Sequence, residues 1–331
     1  MNAVIAALAV AVLLLIVALG VAGANLEYVF GVIVPYGAVA LFLLGFSYRV
    51  LKWAGSAVPF RITTTSGQQK SLAFIKEENL ENPHNLIGVL GRMALEVLFF
   101  RSLFRNTKAK LKEDGNLAYG RDKWLWAGAI GLHWSFLIVL LRHFRFFAEP
   151  IPSFVLHLQS LDGFFKIGVP VLYFTGAILL VSVTYLFIRR VVIPQVSYIS
   201  LVADYFPLFL IMAVAASGIL MRHFYKVDVV AVKELTMSLV SSQPAVPEGI
   251  GFLFFAHLFF VCALFAYFPF SKLMHLGGVF MSPTRNLAAT SRMKRHVNPW
   301  NYDVKTHTYE EYEDEFRDVM REAGLPLEKA E

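Results

Sequence analysis

Apolar residues along this chain fall in long blocks rather than at amphipathic intervals. Six blocks stand out, roughly Asn2–Ala24, Tyr28–Tyr48, Trp124–Phe146, Ile167–Ile188, Val202–Met221 and Ile250–Met274. Each reaches the length of about 20 residues that a helix needs to cross a bilayer. Backbone groups in lipid must be satisfied inside their own segment, so each block is predicted to be a helix. Between the second and third blocks, Asn85–Phe104 (NLIGVLGRMALEVLFFRSLF) is apolar but broken by Arg92, Glu96 and Arg101. That pattern suits an amphipathic helix lying in the membrane interface, and equally a helix resting on a soluble partner. Beyond Phe280 the chain turns polar. Tyr309–Ala323 is acidic and helical in pattern, with too little apolar surface to fold alone, which predicts a tail that docks on something. The expected fold is an all-α integral membrane protein in four parts: two N-terminal helices (1–52), a cytoplasmic loop with an amphipathic segment (53–123), the central helices (124–275) and a cytoplasmic partner-docking tail (276–331).

Composition sharpens this picture. Of 331 residues 57% are hydrophobic and 16% charged, with a mean hydropathy of +0.58. A soluble domain carries nearer a quarter charged residues. The one cysteine, Cys262, excludes a disulfide framework, a cysteine-ligated iron–sulfur cluster and covalent c-type haem. The net charge of +6 does not imply nucleic acid; in a membrane chain it reports which loops stay in the cytoplasm. Lys and Arg number 13 in Arg49–Lys123, two after the fourth block (Arg189, Arg190) and 9 from Lys272 onward. The opposite loops and helix ends hold Arg142, Arg145, Lys166, Arg222, Lys226 and Lys233. The positive-inside rule then puts both termini in the cytoplasm, as an even number of spans also requires. The first block lacks a basic n-region and is read as a retained anchor, although Val21–Ala24 resembles a small-residue cleavage site.

The chemistry rests on histidines. A metal-binding side chain within a span is costly and so points to function. The third block carries His133 and His143, and the sixth carries His257 and His275. A helix rises about 1.5 Å and turns about 100° per residue, so ten residues separate the first two by about 15 Å and eighteen separate the second two by about 27 Å on one face. The two helices run antiparallel, which matches His133 in depth with His275 and His143 with His257. Each pair can grip one iron from both sides, giving two b-type haems stacked across the bilayer. Bis-histidine ligation fills both axial positions and suits electron transfer rather than O₂ binding. Arg142 and Arg145 beside His143, and Lys272 beside His275, are candidate partners for haem propionates. Gly128, Gly131 and Gly176 are candidates for close approach of a flat macrocycle. A single intramembrane histidine is more simply a hydrogen-bonding residue between helices; four at matched depths are not. His223, at an outer helix end, is read as a headgroup residue before a quinone ligand. His157 lies in an outer loop, and His84, His296 and His307 are read as cytoplasmic surface. Asp204 is read equally as a helix-start residue and as a proton carrier.

These spacings resemble the gamma (cytochrome b) subunit of respiratory nitrate reductase, mainly over spans two to six. The stretches SGQQKSLAFIKEENLENPHN (Ser66–Asn85) and SPTRNLAATSRMKRHVNPWN (Ser282–Asn301) look more closely like the DsrM family, the membrane cytochromes b of the Dsr complex in sulfate- and sulfite-reducing microbes, over nearly the whole chain including an additional first span. The resemblance implies that His133 and His275 ligate a cytoplasmic-side haem and His143 and His257 an outer one. It implies a DsrK-like cytoplasmic iron–sulfur partner related to heterodisulfide reductases, other Dsr membrane and periplasmic subunits, and menaquinol as donor. The alternatives are another cytochrome b of the same architecture, such as a heterodisulfide-reductase type, and a transporter or anchor without haem. Central spans without acidic residues speak against the transporter.

Overall fold

A computed structural model describes residues 1–58, 67–294 and 305–329. Six helices among them are long and apolar enough to cross a membrane. They are α1 (Asn2–Gly23), α2 (Val29–Ala54), α4 (Lys123–His143), α6 (Phe174–Val192), α7 (Val202–His223) and α9 (Phe252–Tyr267), the last continued to Phe270 by a 3-10 turn. Between them lie α3 (Leu86–Phe99), α5 (Ser153–Asp162) and α8 (Val229–Val240), and the tail ends in α10 (Tyr309–Glu322). One small hairpin, β1 (Thr107–Leu111) with β2 (Leu117–Arg121), interrupts the helical pattern on the basic side; Gly115, at φ +79°, makes its turn.

The spans pack in the order α4, α6, α7, α9, α2, with α1 against both α7 and α9. Val17 and Val21 of α1 are buried with Phe30, Leu235, Phe254 and Phe255 in one core, so the first helix belongs to the bundle rather than flanking it. A second core joins Leu132 of α4, Leu179 and Val183 of α6, Leu210 of α7 and Phe260 of α9. α4 is held mainly by α6, and α9 by α2 and α7. The two histidine-bearing helices therefore face each other through side chains.

Three span boundaries differ from expectation: the second span runs six residues past Tyr48, to Ala54, and the fourth and sixth differ as follows. The fourth span begins at Phe174, not Ile167, because Gly168 sits at φ +81° and Pro170 offers no N–H, so the chain before Tyr173 stays a loop. The sixth does not run unbroken to Met274. Pro269 cannot donate to the carbonyl four residues back, and Ser271 is extended at φ −116°, ψ 178°. Its hydroxyl caps a new 3-10 turn over Lys272–Met274 by accepting from Leu273 N–H at 3.1 Å. α5 and α8 cover the face opposite the basic one, and the sequence pattern does not announce them. The hydrophobic blocks there are short, and α8 is fixed by Asp228, whose carboxylate accepts from the Val230 and Ala231 N–H groups.

Both helices predicted outside the bundle form, the first ending at Phe99, five residues short of its pattern. Asn85 caps α3 by accepting the Gly88 N–H at 2.8 Å, and Phe100 ends the helix in the left-handed conformation. Thr308 and Glu311 exchange side-chain and backbone hydrogen bonds at the start of α10.

Candidate haem-binding histidine pairs

α4 is unbroken from Lys123 to His143, so His133 and His143 lie about 15 Å apart along it. A continuous sixth helix would have held His257 and His275 about 27 Å apart, nearly twice as far. The break at Pro269 and Ser271 turns the chain, and His275 comes opposite His133 with ring centres 5.8 Å apart at 74°. His143 and His257 stand 6.4 Å apart and nearly parallel, at 16°. A metal–nitrogen bond of about 2 Å on each side, plus about 1.2 Å from nitrogen to ring centre, requires roughly 6.4 Å between two axial imidazoles.

The ring nitrogens are differentiated. Nδ1 of His133, His143 and His275 faces the carbonyl oxygens of Ala129 (2.7 Å), Val139 (2.7 Å) and Lys272 (2.9 Å). A carbonyl only accepts, so each Nδ1 carries the proton. Nδ1 of His257 meets Ser217 Oγ at 2.9 Å, and that hydroxyl already lies 2.7 Å from the Ala213 carbonyl. Ser217 therefore donates to Ala213 and accepts from His257. In all four rings Nε2 keeps its lone pair, the arrangement in which an outer hydrogen bond orients a metal-ligating histidine. His157 makes the same local bond to Ser153, so this feature alone is no signature; facing another imidazole is what separates the four. Among the described residues no three His, Cys, Asp or Glu side chains converge as a metal cluster. Two-ligand sites are what a four-nitrogen macrocycle completes.

The sequence profile of the nitrate reductase gamma subunit matches residues 86–296. The chain belongs to that family. The match covers the four histidines but begins after α2, so both N-terminal helices lie outside it, and the resemblance expected from span two onward is narrower by that span. Two curated relatives are similar over most of their length. One, from Archaeoglobus fulgidus, is 45% identical over 280 residues, 82% of this chain and 83% of its own. The other, from Archaeoglobus profundus, is 42% identical over 274 residues, 81% of each. Both are named Hdr-like menaquinol oxidoreductase cytochrome b-like subunit.

Within this gamma-family bundle the neighbouring residues fall out as follows. Arg142 is ion-paired with buried Asp162, which also accepts from the Thr175 N–H at 2.8 Å. The Arg142 guanidinium stacks on Tyr173 at 3.8 Å, and Arg222 stacks on the same ring at 4.0 Å. Arg142 Nε is nevertheless buried with no partner, a donor beside His143 that fits a propionate oxygen. Arg145 lies 5.7 Å from the Phe146 ring. Lys272 is not free for a propionate as expected: it pairs with Asp204 at 2.6 Å. Asp204 accepts from the Leu201 N–H at 3.0 Å, so its role is at the helix start. Gly128 and Gly131 do not make room for a macrocycle either. A Cβ at these positions would meet Tyr185 at 2.6 Å and Ser182 Oγ at 2.7 Å; they let α6 approach. Gly176 has only Ile219, at 4.0 Å.

His157 and His307 are exposed and His223 half-buried. His84 is less superficial than expected, 2.7 Å from Glu77 and 3.3 Å from Lys70. His296 and the stretch of the tail motif from 295 onward lie outside the described residues, as does Ser66. Three residues escaped the sequence reading. Ser217 looks like an ordinary serine bonding its own helix, Asp162 lies in an apparent loop, and Phe100 packs edge-on against His133 at 5.0 Å only because of its left-handed backbone.

Proposed function

We propose that this chain is a di-haem b electron-transfer subunit that exchanges electrons between menaquinol or menaquinone and a cytoplasmic iron–sulfur subunit. The observation that carries the reading is the pair of facing imidazole couples, at 5.8 and 6.4 Å, each with Nε2 free. His133 and His275 hold one haem near the basic face, and His143 and His257 the other near the opposite face. Haem b held by these paired histidines would supply one-electron transfer chemistry. The chain's own contribution is to orient four imidazoles through their Nδ1–H bonds, to present Arg142 to a propionate, and to keep the space between α4 and α9 apolar.

The Lys- and Arg-rich face is assigned to the cytoplasm, with both termini there and the protein in the cytoplasmic membrane. That face presents α10 and the loop around His84 toward a soluble partner. The names of the two relatives support menaquinol as the lipid carrier and a heterodisulfide-reductase-like complex as the setting. Within that setting we assign the chain to the DsrM type, with a DsrK-like iron–sulfur partner, further Dsr membrane and periplasmic subunits, and electrons delivered in dissimilatory sulfur metabolism. Quinol oxidation is placed beside the outer pair, so that electrons pass inward. Purification with bound partners distinguishes this from a different heterodisulfide-type complex.

The test is haem content and reduced-minus-oxidised spectra of the purified chain with His143→Ala and His275→Ala. About two non-covalent haems per chain, each variant losing a different one, is the expected result. A well-folded preparation without haem would overturn the electron-transfer reading in favour of a transporter or anchor.

A further inference from the structure

α3 has two unlike faces. Its polar face is engaged with protein: Arg92 donates to the Glu81 carbonyl at 2.7 Å, Glu96 lies 3.3 Å from Arg285 of the tail, and Val89 is buried. Its other face is an exposed apolar stripe, Ile87, Leu90, Ala94 and Leu98, at spacings that line one side of a helix.

The C-terminal end of this helix meets a transmembrane span. The Leu98 carbonyl accepts from the Trp134 indole at 3.0 Å and the Phe99 carbonyl from the Trp126 indole at 2.7 Å. Those tryptophans are eight residues apart on α4, so the end of α3 lies between them, level with about Ile130 and roughly 10 Å into the span from Lys123. The last carbonyls of any helix lack partners within it. At the surface, water would serve them. Here two of them are capped by indole donors on the adjacent span, as is required where water is scarce. Trp134, whose indole reaches Leu98, and Leu137 are exposed apolar residues on α4.

We propose that the Ile87–Leu90–Ala94–Leu98 face of α3 is covered by lipid, and that α3 is a re-entrant helix dipping into the bilayer from the basic face and turning back at Phe100. A soluble partner subunit is the competing occupant. It would have to reach down to the level of Ile130, inside a segment that lipid surrounds. The proposal stands whether or not the histidines hold haem. If both hold, α3 also closes the lipid side of the His133–His275 pair through Phe100.

The experiment uses spin labels on the full-length chain in vesicles of phosphatidylcholine and phosphatidylglycerol. Labels are placed by Ile87→Cys, Leu90→Cys and Leu98→Cys in a Cys262→Ala background, with Glu113→Cys on the exposed hairpin as the aqueous control. Labels at Leu90 and Leu98 are expected to collide with oxygen more than with a water-soluble nickel chelate, increasingly toward Leu98, with the reverse at Glu113. Chelate access at Ile87, Leu90 and Leu98 equal to that at Glu113 would overturn the proposal. So would shielding from both reagents, which indicates a protein cover. Ile87 and Leu90 are the most exposed of the set, so their labels report even if Leu98→Cys fails to fold.

Discussion

Replacing Ser217 by alanine isolates the one hydrogen bond to these histidines that a side chain supplies. The other three Nδ1 atoms donate to backbone carbonyls and cannot be edited by substitution. Ser217 is buried, and its hydroxyl lies 2.9 Å from His257 Nδ1. Without it the His257 N–H keeps the Val214 carbonyl alone as acceptor, so the cost is at most about 1–3 kcal/mol. That range corresponds to roughly 5- to 150-fold in affinity at about 1.4 kcal/mol per decade. It brackets the effect of about 10- to 100-fold that is typical of residues orienting metal ligands. Loss of this hydrogen bond also makes His257 a weaker base, so in the proposed di-haem arrangement ferric iron would be less stabilised and the midpoint potential of a haem held by His143 and His257 should rise. The assay is haem titration of depleted protein, followed by spectra resolved by redox potential. Expected are weaker binding and a raised potential at one haem only, with Ser217→Thr close to wild type. Equal haem affinity and an unmoved potential in Ser217→Ala would refute the argument that this hydroxyl sets the His257 tautomer.

Gly45→Val would place a Cβ 2.7 Å from Pro269 Cβ, against a ring that cannot rotate away. Over-packing of this kind costs about 1–3 kcal/mol, and because the Phe268–Phe270 turn precedes His275, the haem proposed for His133 and His275 should be lost in preference to the other, read from the spectrum. Asp162→Ala leaves Arg142 charged and largely buried, which should cost about 3–5 kcal/mol in unfolding measurements in detergent, with Arg142→Met/Asp162→Leu less destabilised than Asp162→Ala alone. Glu313 is fully buried and accepts from Arg317 and from the Glu328 and Lys329 N–H groups. Glu313→Ala should release the residues after Leu325 from α10 and raise their rate of proteolysis, while haem content stays unchanged.

The six spans and the four histidines were legible in the sequence because their signals are local. A lipid-crossing helix must be apolar over its whole length, and an imidazole placed in such a segment stands out without any knowledge of its neighbours. The matched depths of His133 with His275 and His143 with His257 followed from counting residues and reversing direction. What counting could not supply was the distance. It assumed a straight sixth helix, which would have left His275 too far along. The break at Pro269 and Ser271 brings it level, and its direction is set by packing against Gly45 on α2. Contacts made through folding were equally invisible. Gly128 and Gly131 read as room for a flat ligand, but α6 fills that space, and Lys272 reads as a free cation, but Asp204 meets it. Ser217 is forty residues from His257 in sequence, and the indoles that cap α3 are 27 and 36 residues away from the carbonyls they reach. The sequence by itself determined which segments are long and apolar enough to cross a membrane and where imidazoles sit within them, since both follow from the cost of polarity in lipid. Only the tertiary structure decided which of those side chains face one another and which nitrogen each presents, because those depend on hydrogen bonds and close packing between residues remote along the chain.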